Sequence, residues 1–115
     1  ELPPLEEYAA LLEEIWATRM LSNFGPMAQR LEAMTSEYLG LPTRVVVSGD
    51  IGLALTIAAM ELPRGSAAIV PSFTFNSTIN AILWNRLTPV FVDIDQGTIN
   101  VDVADLEIAI AEAHR

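Results

Sequence analysis

Residues 48–52, Ser-Gly-Asp-Ile-Gly, combine residue types that can hold an anion at the start of a helix. Glycine allows a ligand to approach the backbone closely, and the amides at a helix N-terminus attract an anion such as phosphate. The segment also has a purely structural interpretation, a tight turn in which Ser48 or Asp50 caps the following helix. The spacing leaves both interpretations open.

A second candidate site is residues 71–78, Pro-Ser-Phe-Thr-Phe-Asn-Ser-Thr, where two aromatic residues stand among hydroxyl and amide side chains. An exposed aromatic ring at this position could stack on a flat heteroaromatic ligand, with the hydroxyl groups supplying hydrogen bonds. In the structural alternative, Phe73 and Phe75 belong to the core and Asn76 caps the next helix.

A third candidate is the pair Asp93 and Asp95, because two carboxylates at the end of a strand can hold magnesium for phosphoryl transfer. The pair resembles the opening motif of the haloacid dehalogenases, but Gln96 is inserted before the Gly-Thr that should follow directly. We therefore favour a turn at the strand end. His114 is the only histidine, and no metal-ligand spacing is present, so we predict no metal site.

The elements that position these residues follow from the hydrophobic pattern. Two helices are predicted first, over residues 4–21 and 27–39, with apolar faces at three- and four-residue spacing. Short β-branched runs then alternate with helical segments, which is typical of a parallel sheet with right-handed crossovers. The predicted strands are 44–47, 67–70 and 90–93, and the helices that follow them are 51–62, 77–85 and 103–114. We expect a helical segment over residues 1–42 and an incomplete βαβαβα unit over residues 43–115.

Composition excludes several classes of protein. Of the 115 residues, 51% are hydrophobic and 18% are charged, which rules out intrinsic disorder. The net charge of −9 and the absence of a basic cluster argue against nucleic acid and anionic membranes as partners. No apolar run reaches the ~18 residues of a membrane span, and there is no cysteine. We expect a cytoplasmic protein. The small size of the predicted sheet indicates that the chain is part of a larger domain or is completed by a partner chain.

Four segments in order resemble the beginning of a nucleotide-sugar aminotransferase of the DegT/DnrJ/EryC1/StrS family. They are Phe24-Gly25-Pro26 before Leu31-Glu32, Val47-Ser48-Gly49 before Leu53-Ala54-Leu55, residues 69–78, and residues 89–95 with Thr98-Ile99-Asn100. The order and spacing of all four is more specific than any one alone. The resemblance implies an α/β fold, the three-layer αβα large domain of fold type I transferases with a mostly parallel sheet, preceded by two N-terminal helices.

The resemblance also implies pyridoxal 5′-phosphate as the cofactor of the complete enzyme. Gly49 and Asp50 correspond to the family's phosphate-binding residues, and Phe75 to the aromatic that stacks on the pyridine ring. Asp50 departs from the family, which usually has Thr or Ser there, and a carboxylate would repel phosphate unless it caps the helix or pairs with an arginine.

The activity that the resemblance implies is amino transfer from an amino acid, glutamate in our expectation, to a keto-sugar nucleotide in polysaccharide or glycoconjugate biosynthesis. The family works as a homodimer. All six basic residues are arginines, so the lysine that this chemistry requires is absent from the 115 residues, and we expect no activity from this chain alone. The alternative is a non-catalytic binding or interaction module of the same fold, completed by another chain.

Overall fold

The computed structural model describes residues 2–113, and within them the chain forms two compact units. The first unit, residues 1–45, contains two helices, α1 (Leu5–Thr18) and α2 (Pro26–Leu39). Pro26 occupies the first turn of α2, where its missing N–H costs nothing, and Gly40 ends the helix in the left-handed conformation.

The helices of this first unit have no buried residue, which corrects the prediction of a buried side on α2. The helical spacing predicts Leu31, Met34 and Tyr38 on that side, and all three are exposed. The three- and four-residue spacing identified the apolar face, but burial also needs a surface to cover it. Part of the two apolar faces instead lines an open groove of about 460 Å³ between α1 and α2.

The second unit, residues 46–115, contains the remaining elements in the order α3 (Gly49–Ala59), β1 (Ala67–Pro71), α4 (Asn76–Trp84), β2 (Thr88–Val92) and α5 (Val103–Ala113). The strands are parallel, with Ala67 opposite Thr88 and Pro71 opposite Val92. The predicted extension of the last helix to His114 lies outside the described residues. This arrangement confirms the predicted α/β class with a parallel sheet.

The prediction of a strand at residues 44–47 is wrong. The sheet in the described residues has two strands, so the first strand of the expected βαβαβα unit is missing from them. The amide of Val45 donates to Glu32 Oε1 at 2.9 Å, and Val47 is 84% exposed. The β-branched residues favour an extended chain, but a strand also needs a neighbour to bond with. No segment among residues 2–113 pairs with residues 44–47.

The core of the second unit lies between the sheet and α4. Val70 of β1, Ile82 of α4 and Leu87 form a buried cluster, against which Ile57 of α3 and Ile79 of α4 pack. Because β1 and β2 are parallel, α4 must run back across the sheet from the carboxyl end of β1 to the amino end of β2. The start of α4 therefore lies at the edge where both strands end. No helix in the described part of the chain has the length and apolar content of a membrane span.

Candidate functional site

Helices α3 and α4 pack together, and their C-terminal ends lie close to each other. A small cavity of about 60 Å³ is lined by the end of α3 together with Asn85 and Leu87 just after α4. The start of α4 lies at the edge of the sheet where β1 and β2 end.

Helix α3 begins with amides that are free to bind an anion. The hydroxyl of Ser48 accepts a hydrogen bond from the amide of Ile51 at 3.3 Å, so Ser48 is the N-cap. Gly49 and Asp50 occupy the first turn, and within the described residues their amides have no protein acceptor. A Cβ built on Gly49 would have no other atom within 4 Å, so the space beside this amide is open. These two amides can donate to an anion, as expected at a helix N-terminus.

Asp50 neither caps the helix nor pairs with an arginine in the described chain, the two roles expected to offset its charge beside a phosphate. The capping position belongs to Ser48, and neither of the two ion pairs in the described chain, Arg30–Glu14 and Arg44–Glu32, includes it. Its side chain is exposed in the first turn, where a carboxylate is favoured by the partial positive charge of the helix end. A phosphate at this helix would meet that carboxylate as a like charge.

The aromatic residues of the second candidate segment are exposed, so Phe73 and Phe75 do not belong to the core of the described chain. Phe75 is 73% exposed and immediately precedes α4 as its N-cap residue. Asn76 lies inside the first turn, so it does not cap the helix. The hydroxyl groups of Thr74 and Thr78 lie 3.0 Å apart and hold the loop in place. An exposed phenyl ring in a loop held this way can stack on a flat ligand.

The acidic residues after β2 form a closed hydrogen-bonded turn, as predicted for the strand end. The amide of Asp93 donates to Asp105 Oδ2 at 2.7 Å, and Asp102 Oδ1 accepts from two amides at the start of α5. Asp95 Oδ1 accepts from the amide and the hydroxyl of Thr98, and these bonds hold the pKa of Asp95 below its usual value. In the described residues no group of three or more His, Cys, Asp or Glu side chains could hold a metal ion.

Comparison with known proteins identifies the family. The model of the DegT/DnrJ/EryC1/StrS aminotransferase family matches residues 5–115. The chain belongs to this family. It is 39% identical over 109 residues to the dTDP-4-amino-4,6-dideoxy-D-glucose transaminase of Escherichia coli. The match covers 95% of this chain and 29% of that protein. The chain therefore spans less than a third of that relative.

Solved structures of similar proteins support the fold. A protein of Bacillus cereus ATCC 10987, named "putative PLP-dependent aminotransferase", superposes with a TM-score of 0.80 at 32% identity, over 97% of this chain and 31% of that one. The Streptococcus pneumoniae protein Spr1654, named "putative sugar aminotransferase" and solved in its PMP form, superposes with a TM-score of 0.73 at 31% identity. This match covers 86% of this chain and 26% of that one. The same protein has also been solved in its PLP form. These matches confirm the predicted fold and family.

The sequence predicts that both candidate loops follow strands of a parallel sheet, at the carboxyl ends where ligands bind. Each loop was recognised from its Gly, Ser, Thr and aromatic residues. The βαβ order locates the start of α4 at that edge. The same argument does not apply to α3, because residues 44–47 do not join the described sheet.

Proposed function

We propose that this chain is the N-terminal part of a pyridoxal-phosphate-dependent aminotransferase. The reaction is the transfer of an amino group from an amino acid, glutamate as the donor, to a keto-sugar nucleotide in polysaccharide or glycoconjugate biosynthesis. The observation that carries the proposal is the open first turn of α3, in a chain of this family whose Phe75 is exposed at the start of α4. The relatives' names supply the substrate class.

The described residues fit the two ends of this cofactor. The amides of Gly49 and Asp50 would hold the phosphate, and Phe75 would stack on the pyridine ring. The open space beside Gly49 is what close approach of a phosphate requires. The carboxylate of Asp50 opposes binding, so it must turn towards solvent, and its exposed position in the first turn allows that rotation.

The division of labour within the complete protein follows from the residues present. Bound pyridoxal phosphate supplies the electron sink for amino transfer. This chain binds and orients the cofactor, and the lysine that the chemistry needs comes from outside these 115 residues, which contain none. We further propose that residues 1–42 are a helical segment and residues 43–115 the first part of the cofactor-binding domain. A homodimer, on the family resemblance, and a cytoplasmic location, on the composition of the sequence, complete the proposal.

The proposal is tested with the full-length protein and with residues 1–115 side by side. We expect the full-length protein to bind pyridoxal phosphate, to show a shifted cofactor absorbance and to aminate a keto-sugar nucleotide with glutamate. After borohydride reduction, residues 1–115 should carry no cofactor adduct except at the terminal amine. A full-length protein that binds no cofactor would overturn the proposal and favour the non-catalytic binding module.

A further inference from the structure

A single side chain joins α3 to α4 by hydrogen bonding. Asn85, the half-buried residue that ends α4, donates from Nδ2 to the carbonyl oxygen of Ala54 in α3 at 3.0 Å. The same nitrogen donates to the carbonyl oxygen of Ala81, one turn back in its own helix, at 2.8 Å. Within the described residues no other hydrogen bond connects these two helices. Asn85 therefore binds one particular turn of α3 to the end of α4.

The rest of the contact between the helices does not fix their position along their axes. Ile57 of α3 and Ile79 of α4 pack around the buried cluster of Val70, Ile82 and Leu87. Apolar contacts of this kind are non-directional, and their energy depends mainly on the area that is buried. A hydrogen bond depends on both distance and angle, so it selects one axial position among those that the apolar contact would permit.

That axial position sets the distance between the two halves of the site. Helix α3 begins at Gly49, and α4 begins directly after Phe75. A slip by one residue would move one helix start by about 1.5 Å relative to the other. We propose that Asn85 is a positioning residue, which sets the spacing between the phosphate-binding first turn of α3 and the ring-stacking Phe75. This inference rests on the function proposed above.

The proposal predicts that Asn85 variants weaken some ligands more than others, whereas a purely structural role predicts the same effect on every ligand. A ligand that spans both halves is sensitive to their spacing, whereas a ligand that occupies one half is not. Pyridoxine 5′-phosphate spans both and has no aldehyde to react with a lysine. Inorganic phosphate occupies only the α3 half, and pyridoxine only the Phe75 half. In the full-length protein we expect Asn85→Ala to weaken pyridoxine 5′-phosphate binding up to about tenfold, the factor for one net hydrogen bond. Binding of the two smaller ligands should change by less than about twofold.

Two further variants complete the test. Asn85→Ser retains a hydroxyl for the bond to Ala81 but is too short to reach Ala54, so it should reproduce the loss. It also replaces Asn85→Ala if that variant does not fold. Ile79→Val removes one methyl group from the apolar contact around the buried cluster and leaves the Asn85 hydrogen bond intact. It should lower the melting temperature without selectively weakening pyridoxine 5′-phosphate binding.

Four outcomes would overturn the inference. Equal weakening of all three ligands would assign Asn85 a structural role, and so would an Ile79→Val profile that matches Asn85→Ala. Unchanged pyridoxine 5′-phosphate binding in both Asn85 variants would remove the role altogether. If the wild-type protein binds none of the three ligands, the proposed function fails as well, whereas normal wild-type binding without a selective loss contradicts only the role of Asn85.

Discussion

Two segments of the second unit follow extended chain and lead into a helix, yet they differ in what they can bind. At the start of α3, the hydroxyl of Ser48 accepts from one backbone amide. The backbone amides of Gly49 and Asp50 have no acceptor in the described chain. Between β2 and α5, the carboxylates of Asp93, Asp95 and Asp102 all accept hydrogen bonds from nearby amides. The first segment has donors available for a ligand, and the second uses its acceptors to hold its own turn.

This difference shows that residue types alone do not define a binding site. Both segments contain glycine, a hydroxyl residue and aspartate at short spacing, and both suggested phosphate chemistry in the sequence. Hydrogen-bonding groups that the fold already satisfies stabilise the fold, whereas unsatisfied groups at the surface remain available to a ligand. Substitutions at the start of α3 should therefore change cofactor affinity, and substitutions after β2 should change stability.

The largest effect is expected from Gly49→Val. A branched side chain would block the approach of phosphate to both amides, which costs two charge-assisted hydrogen bonds of about 1.5 kcal/mol each, or about a hundredfold in cofactor affinity. The fold has room for the change, since a Cβ at Gly49 meets no atom within 4 Å. The measurement is a cofactor titration of the full-length protein by absorbance, alongside its melting temperature.

Gly97→Val is the matched control, because it makes the same substitution in the turn after β2. A Cβ at Gly97 would lie 3.4 Å from Asp95 Oδ1, an ordinary contact. We expect its cofactor affinity to equal that of the wild type. Equal losses in the two valine variants would contradict the distinction between the two segments.

Asp50→Thr should tighten cofactor binding by about 1–2 kcal/mol, because it removes a like charge and adds a hydroxyl donor. The fold should lose little, since Ser48 provides the helix cap. Asp50→Asn is the control for charge alone and should give part of the gain. The account would be contradicted if Asp50→Thr lowered the melting temperature and left affinity unchanged, because Asp50 would then serve the helix alone. Cofactor binding would in that case rest on residues 71–78.

Phe75→Ala should weaken cofactor binding by about 1 kcal/mol through the loss of stacking. The phenyl ring is exposed, so its removal should leave the melting temperature nearly unchanged. Phe73→Ala, at the other exposed ring of the same loop, tests whether the effect is specific to Phe75. Titration with pyridoxine separates the two rings, and equal losses in both variants would disprove the assignment of Phe75.

The smallest effect is expected in the turn after β2 and depends on pH. Hydrogen bonds from Thr98 lower the pKa of Asp95 from 3.8, so the ionised carboxylate stabilises the folded state. That contribution is fully present above pH 3.8 and is lost as the pH falls through the lowered folded-state pKa. Thr98→Val removes the hydroxyl bond, so its melting temperature should lie below that of the wild type near neutral pH. The difference should shrink in acid, and a difference that is independent of pH would contradict this interpretation.

The sequence predicted the helices and their order because hydrophobic spacing and terminal residues are local signals. Gly40 ends α2 and Asp102 caps α5, and both residue types are favoured at those positions. The strand at 44–47 and the buried side of α2 could not be predicted correctly, because both depend on a partner surface. The choice between Ser48 and Asp50 as cap required the hydrogen-bond geometry. Asn85 carries no recognisable sequence signal, since asparagine is common at helix ends and its bond to Ala54 spans 31 residues.

The central claim is that the first turn of α3 holds the cofactor phosphate, and a crystal structure of the full-length protein with pyridoxal phosphate tests it most directly. We predict phosphate oxygens about 2.7–3.2 Å from the amide nitrogens of Gly49 and Asp50, with the Asp50 carboxylate turned away and the Phe75 ring against the pyridine. A cofactor whose phosphate lies beyond hydrogen-bonding distance of both amides would contradict the account.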